Sequence, residues 1–158
     1  MNRLKSSIRV FVLATVLSSL LLATGVVKAA PLTRGTWSIV PSANVGVQSC
    51  TLYAVAAVSA SDVWAVGWYF NSSYVQQTLI EHWNGTSWSV VASPNASSSS
   101  NQLYSVAAVS ANDVWAVGYY FNGSSYNHTL IEHWDGSSWS VVSSPNPDLT
   151  ANVLYGVT

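Results

Sequence analysis

The chain repeats itself at a fixed interval of 51 residues. Residues 52–102 and 103–153 align without a gap, and 34 of the 51 positions are identical. The interval is carried by bulky side chains: Trp64 and Trp115, Phe70 and Phe121, Trp83 and Trp134, Trp88 and Trp139, Pro94 and Pro145. A strict period of this length belongs to stacked or radial arrays, in which one supersecondary unit recurs and buries its apolar faces against its neighbours. The register continues outward. Trp37-Ser38-Ile39-Val40 answers Trp88-Ser89-Val90-Val91, and Leu154-Tyr155-Gly156-Val157 answers Leu103-Tyr104-Ser105-Val106. Residues 36–51 and 154–158 are therefore partial repeats.

Polar punctuation cuts each repeat into four short runs rich in Val, Tyr, Trp and Phe. In the first copy these are Leu52 to Val58, Val63 to Phe70, Thr78 to Trp83 and Trp88 to Ala92. Runs of this length and composition predict strands, and none carries a sustained i, i+3, i+4 pattern that would predict helix. Asn84-Gly85 and Asp135-Gly136 supply positive φ for hairpins. Ser59 to Asp62 and Ser110 to Asp113 supply short polar turns whose side chains can bond nearby backbone. Both faces of a run such as Val63-Trp64-Ala65-Val66 are apolar, which suits a sheet covered on both sides. The expected fold class is all-β: two complete four-stranded β-propeller blades with partial repeats at both ends. A parallel β-helix is the alternative, but its coils are shorter and its turns seldom repeat Asn-Gly signals. The strands number ten, not a multiple of four, and propellers close with about four to eight blades. The expectation is therefore a longer gene product or, failing that, a homo-oligomer.

Charge divides the chain at its start. Four of the five bases, Arg3, Lys5, Arg9 and Lys28, lie within the first 28 positions, and an apolar run spans Val10 to Val27. With the small-residue pattern around Val27-Lys28-Ala29 this predicts a signal peptide over residues 1–29, cleaved after Ala29, and a protein that is secreted or held at the cell surface. Thr15, Ser18, Ser19, Thr24 and Gly25 interrupt the run and argue against a retained membrane anchor. The remaining domain, 30–158, keeps one base, Arg34, against six carboxylates, a formal balance of −5. Nucleic acid is excluded as a partner, because phosphate binding requires clustered Lys and Arg. Cys50 is the single cysteine and has no internal partner; a free thiol in a loop is expected.

Two segments carry a resemblance. Ser61-Asp62-Val63-Trp64-Ala65-Val66-Gly67 and Asn112-Asp113-Val114-Trp115-Ala116-Val117-Gly118 are each followed by His-Trp-Asn-Gly or His-Trp-Asp-Gly and a further Trp. They resemble the Asp-Val-Trp-Ala-Val-Gly repeats of bacterial exported β-propellers, loosely kelch-like or galactose-oxidase-like. The resemblance covers nearly all of residues 36–158 and implies blade architecture. It does not imply a function, since propellers host lectins, hydrolases, lyases, oxidases and scaffolds.

The only concentrations of titratable groups are Glu81-His82 and Glu132-His133. Adjacent residues of a strand point to opposite faces, so neither pair converges on one ion or one substrate. The expected role is structural, with Glu of one blade meeting His of the next. There is no Gly-rich phosphate loop, no Ser-His-Asp order, no Cys-X-X-Cys and no pair of catalytic carboxylates, so no catalytic, metal or cofactor site is expected. Trp37, Trp64, Trp83 and Trp88 sit at repeated strand positions and are expected in the core. Ligand contacts are expected where the repeat breaks. Trp68 is replaced by Tyr119, Tyr74 and Tyr126 lie in the variable stretches, and His128, which answers Gln77, is expected in a solvent-facing loop. The leading reading is a non-catalytic binding or scaffold module for a protein or polysaccharide. One alternative is a lectin: the Trp-Asn-Gly-Thr-Ser-Trp hairpin is similar to that of small fucose-binding propellers. That likeness implies sugar contacts at Glu81, Trp83 and Trp88, although the Glu-to-Trp spacing is one residue shorter here and neither repeat has an Arg. The other alternative is part of a propeller enzyme whose active site lies elsewhere.

Overall fold

The computed structural model describes residues 38–124, 126–147 and 151–158; the leader, its cleavage site and Trp37 lie outside them. Eight strands follow one another: β1 (Cys50–Ser59), β2 (Asp62–Phe70), β3 (Gln76–Trp83), β4 (Trp88–Val91), β5 (Asn101–Ser110), β6 (Asp113–Phe121), β7 (Asn127–Trp134) and β8 (Trp139–Val141). The first four form one sheet and the last four another, each in sequential order with antiparallel neighbours. Among the described residues there is no helix. Two four-stranded antiparallel meanders stacked face to face are the arrangement of neighbouring propeller blades, and they exclude a β-helix, whose strands pair in parallel.

The links show why these residues make these strands. Gly85 and Gly136 have φ of +94° and +95°, but Asn84 and Asp135 do not share that region. The β3–β4 and β7–β8 loops are four residues long, as the run ends at Trp83 and Trp88 imply. Asn84 and Asp135 act instead through their side chains. Asn84 Oδ1 accepts from the Thr86 and Ser87 amides, both at 3.0 Å. Asp135 Oδ1 accepts from the Ser137 and Ser138 amides at 2.8 and 2.9 Å. Together with the Ser137 hydroxyl, these donors hold the Asp135 carboxyl down to about 2. The polar turns behave as expected: Ser59 Oγ accepts from the Ser61 amide and Ser110 Oγ from the Asn112 amide.

Alternation gives each sheet two faces. Within β2 and β3, Trp64, Val66, Ile80 and His82 lie on one face and Ala65, Leu79, Glu81 and Trp83 on the other, in the pairs Trp64↔His82, Ala65↔Glu81 and Val66↔Ile80. The blades stack head to tail. Trp64, Val66 and Ile80 of the first blade pack against Leu103, Val106, Val114, Ala116, Leu130 and Trp139 of the second, which are the repeat equivalents of the first blade's opposite face. Trp64 is 2% exposed, and its ring lies 5.0 Å from Trp134 and 5.4 Å from Trp139.

This stacking corrects several expectations. Trp83 and Trp88, expected in the core, are half-buried, and Trp115, the repeat equivalent of Trp64, is not between the sheets. It lies on the far face of the second blade, half-buried, stacked on His133 at 4.1 Å with Nε1 donating to Asp113 at 2.7 Å. In a head-to-tail stack the same position faces a neighbour in one copy and not in the other. The two Glu-His pairs do not bridge blades either. His82 pairs with Asp62 at 2.8 Å and His133 with Asp113 at 2.9 Å, each within its own blade, because the Trp-bearing face carries the histidine toward the preceding turn. Cys50 opens β1 instead of lying in a loop; its thiol is free and faces Asn44 Oδ1 at 3.5 Å.

Candidate functional site

A register shift recurs in the first strand of each blade. Leu52 pairs with Gly67 and Ala54 with Val66, so Tyr53 is the extra residue of a β-bulge; Leu103, Ser105 and Tyr104 repeat the pattern opposite Gly118 and Val117. A bulge leaves its extra residue unpaired and re-aims the side chain. It also brings backbone close to the facing strand. A Cβ on Gly67 would overlap the Thr51 carbonyl oxygen, and one on Gly118 the Gln102 carbonyl oxygen. The glycine that ends each Asp-Val-Trp-Ala-Val-Gly segment thus permits the bulge that presents a tyrosine.

The re-aimed tyrosines meet across the blades. Tyr53 and Tyr104 lie 5.1 Å apart, edge to face, and Tyr104 stacks on Tyr155 at 5.3 Å with 11° between the ring planes. Tyr119 flanks Tyr104 at 5.8 Å. On the other side Trp68 Nε1 donates to the Tyr53 hydroxyl at 3.1 Å, and the Trp68 ring meets Phe70 edge-on at 5.0 Å. The result is a row of aromatic rings running from one blade to the next, with Tyr53 and Tyr155 exposed. Burial and the neighbouring Tyr119, Tyr53 and Tyr155 push the Tyr104 phenol up to about 12, and burial likewise raises Tyr119. Both hydroxyls keep their protons at neutral pH and offer donors as well as acceptors.

Of the five ligand residues expected from sequence, Trp68 and Tyr119 join this row. Tyr74 does not: it occupies the β2–β3 turn at φ +59°, with its ring exposed, and Asn71 Oδ1 holds the turn through the Ser73 and Val75 amides. Tyr126 is exposed in the link between β6 and β7, without a ring contact to the row among the described residues. His128 lies in β7, not in a loop; it stacks on Tyr120 at 5.3 Å and bonds to Asn122 at 2.7 Å. Tyr53, Tyr104 and Tyr155 were missed by sequence reasoning. The signal was present in their 51-residue spacing, but an invariant aromatic on a strand reads as core unless the bulge is known.

A groove of about 450 Å³ opens on the first blade, lined by Leu52, Val55, Glu81 and Trp88 and bounded by Val40 and Ser42. Glu81 is buried there, which raises its pKa, while a Ser42 hydrogen bond opposes the rise. Trp83 adjoins Trp88 at 5.8 Å. In the second blade the equivalents Glu132, Trp134 and Trp139 are packed beneath the first blade, so the three residues matched by the lectin likeness are interface residues there. Among the described residues no three His, Cys, Asp or Glu side chains gather as metal ligands.

No family model matches the chain, and no curated protein matches it. Among solved structures it is similar to one described as YCF48 bound to D1 peptide, with 18% identity and a TM-score of 0.45 over 70% of this chain. It spans 34% of that chain's length.

Proposed function

We propose that this chain is an exported, non-catalytic β-propeller binding module that holds an uncharged protein or polysaccharide chain along the aromatic row. The observation that carries the proposal is the row itself: Tyr53, Tyr104 and Tyr155 in mutual ring contact across the blades, extended by Trp68 and Tyr119. Aromatic faces next to hydroxyls serve ligands with alternating apolar and hydrogen-bonding surface. Residues 38–158 contain no Lys or Arg, so an anionic ligand would find no counter-charge there. Export rests on the basic and apolar leader of residues 1–29. The test is binding of the purified chain to arrays of neutral glycans and of uncharged extended peptides. Loss of one ring contact is expected to weaken binding about tenfold in Tyr104→Ala and again in Trp68→Ala. Binding that neither substitution changes would overturn the assignment of the row, and hydrolysis of a bound glycan or peptide by the purified chain would overturn the non-catalytic reading.

A further inference from the structure

Three turns in the chain share one construction. Asn84-Gly85-Thr86, Asn122-Gly123-Ser124 and Asp135-Gly136-Ser137 each place a glycine at positive φ, +94°, +85° and +95°. In each, Oδ1 of the first residue accepts from the amide and the hydroxyl of the third. The distances are 3.0 and 2.8 Å at Asn84, 3.0 and 2.8 Å at Asn122, and 2.8 and 2.7 Å at Asp135. One turn differs at the other side-chain atom. Asn122 Nδ2 lies 2.7 Å from His128 Nε2, whereas Asn84 Nδ2 has no hydrogen-bond partner among the described residues. The Ser124 amide fixes the orientation of Asn122: a backbone N–H can only donate, so Oδ1 faces it, Nδ2 faces the imidazole, and His128 Nε2 is the acceptor. The imidazole is held by its stack on Tyr120, its partner across β6 and β7, at 5.3 Å with 19° between the planes. In the first blade Gln77 stands in the place of His128.

We propose that Asn122 is a self-modifying residue, converted to aspartate or isoaspartate by cyclisation on Gly123, with His128 carrying the proton. The chain has two Asn-Gly steps, at 84 and 122, and such steps are the open ones because glycine has no Cβ to crowd its own nitrogen. The Gly123 nitrogen attacks Asn122 Cγ. Negative charge builds on Oδ1, where the Ser124 amide and hydroxyl already donate. The proton shed by the Gly123 nitrogen passes through water to His128 Nε2, which returns it to Nδ2; the Cγ–Nδ2 bond then breaks and ammonia leaves. Water opens the resulting succinimide, at one carbonyl to give aspartate and at the other to give isoaspartate. Asn122, Gly123 and Ser124 are exposed, so water reaches the ring. The product has its template within the chain. Asp135 shows the same turn holding a carboxylate, and Asp62 with His82 and Asp113 with His133 show carboxylate and imidazole paired at 2.8 and 2.9 Å. Conversion places a negative charge and, in isoaspartate, an extra backbone methylene in the link between β6 and β7 that carries Tyr126.

The test uses the purified full chain, held in neutral buffer and sampled over days, with peptide mapping by mass spectrometry to follow the amide-to-acid conversion at each Asn-Gly step. Asn84 is the internal clock, with the same dipeptide and an Oδ1 at least as rich in donors. Asn122 is expected to convert about a hundredfold faster than Asn84, the lower end of what a positioned proton-transfer group supplies. His128→Gln restores the residue of the first blade and His128→Phe keeps a ring on Tyr120; each is expected to bring Asn122 to the rate of Asn84. Circular dichroism confirms that both variants keep the β signature. In guanidinium, where the turn is lost, the two steps are expected to convert at similar rates. Asn122 converting no faster than Asn84 in the folded parent overturns the proposal. So does an advantage that survives either substitution, or one that persists in denaturant and so belongs to the local sequence and not to the fold.

Discussion

Glu132 is the residue at which the packing works against the chemistry. It is fully buried at the blade interface, and neither carboxyl oxygen has a partner among the described residues. Desolvation raises its pKa well above the ordinary carboxylate value of 4.5, so the proton stays on in the folded state over a range in which the unfolded chain releases it. The sign follows. The folded value lies above the unfolded one, so stability is fully present below about pH 4.5 and falls as pH rises toward the folded value. Chemical denaturation across a pH series is expected to show this decline in the parent chain and a flatter profile in Glu132→Gln. Equal slopes in the two proteins would mean that Glu132 ionises in place. At the same position in the first blade, desolvation also raises Glu81, and a hydrogen bond from Ser42 opposes the rise.

At the scale of the strand, the bulge opposite Gly67 and Gly118 connects a repeat motif to a surface. The glycine is needed because a backbone carbonyl occupies the place of its side chain, and the same bulge turns Tyr53 and Tyr104 outward. Gly118→Ala is expected to cost toward the upper end of the range of about 1–3 kcal/mol for forcing atoms into filled space, because backbone and not a flexible side chain fills it. Gly123→Ala, in the β6–β7 link, meets only Ser99 Oγ at 3.5 Å, and its penalty comes from φ of +85°, about 1 kcal/mol. Urea midpoints compare them, and a Gly118→Ala variant as stable as Gly123→Ala would show that β5 can slide off the bulge. The Asp-Val-Trp-Ala-Val-Gly pattern was legible as a strand. Its final glycine was not legible as the cause of a tyrosine row, because close approach between strands is a property of pairing and not of one strand.

For the molecule as a whole, head-to-tail stacking makes identical residues unequal. Trp64 sits between the sheets against Trp134 and Trp139, and Trp64→Ala is expected to cost about 3–5 kcal/mol through lost burial and the cavity left behind. Among the described residues Trp115 makes its ring contact with His133 and its hydrogen bond with Asp113, both in its own blade, and Trp115→Ala is expected to cost about 1–2 kcal/mol. Denaturation at a concentration low enough to exclude association measures both, and equal costs would mean that Trp115 is as enclosed as Trp64. The same inequality separates two pairs of repeat equivalents: Trp64 and Trp139 are buried, while Trp115 and Trp88 are half-buried.

The amino-acid sequence by itself determined that the repeats are strands, their number per repeat and the alternation of faces. Those features depend on side chains a few residues apart and on a period of 51 that can be read directly. It could not determine which of two identical residues is covered, because local chemistry is the same in both copies; Val55 and Val106 differ only in what lies opposite. Tertiary structure decided that difference. It also decided that His82 turns to Asp62 rather than to a neighbouring blade's glutamate, that His128 belongs to a strand, and that tyrosines 51 residues apart form one row. Each is set by stacking and register between distant segments, where the energy depends on what a face meets and not on what it is made of.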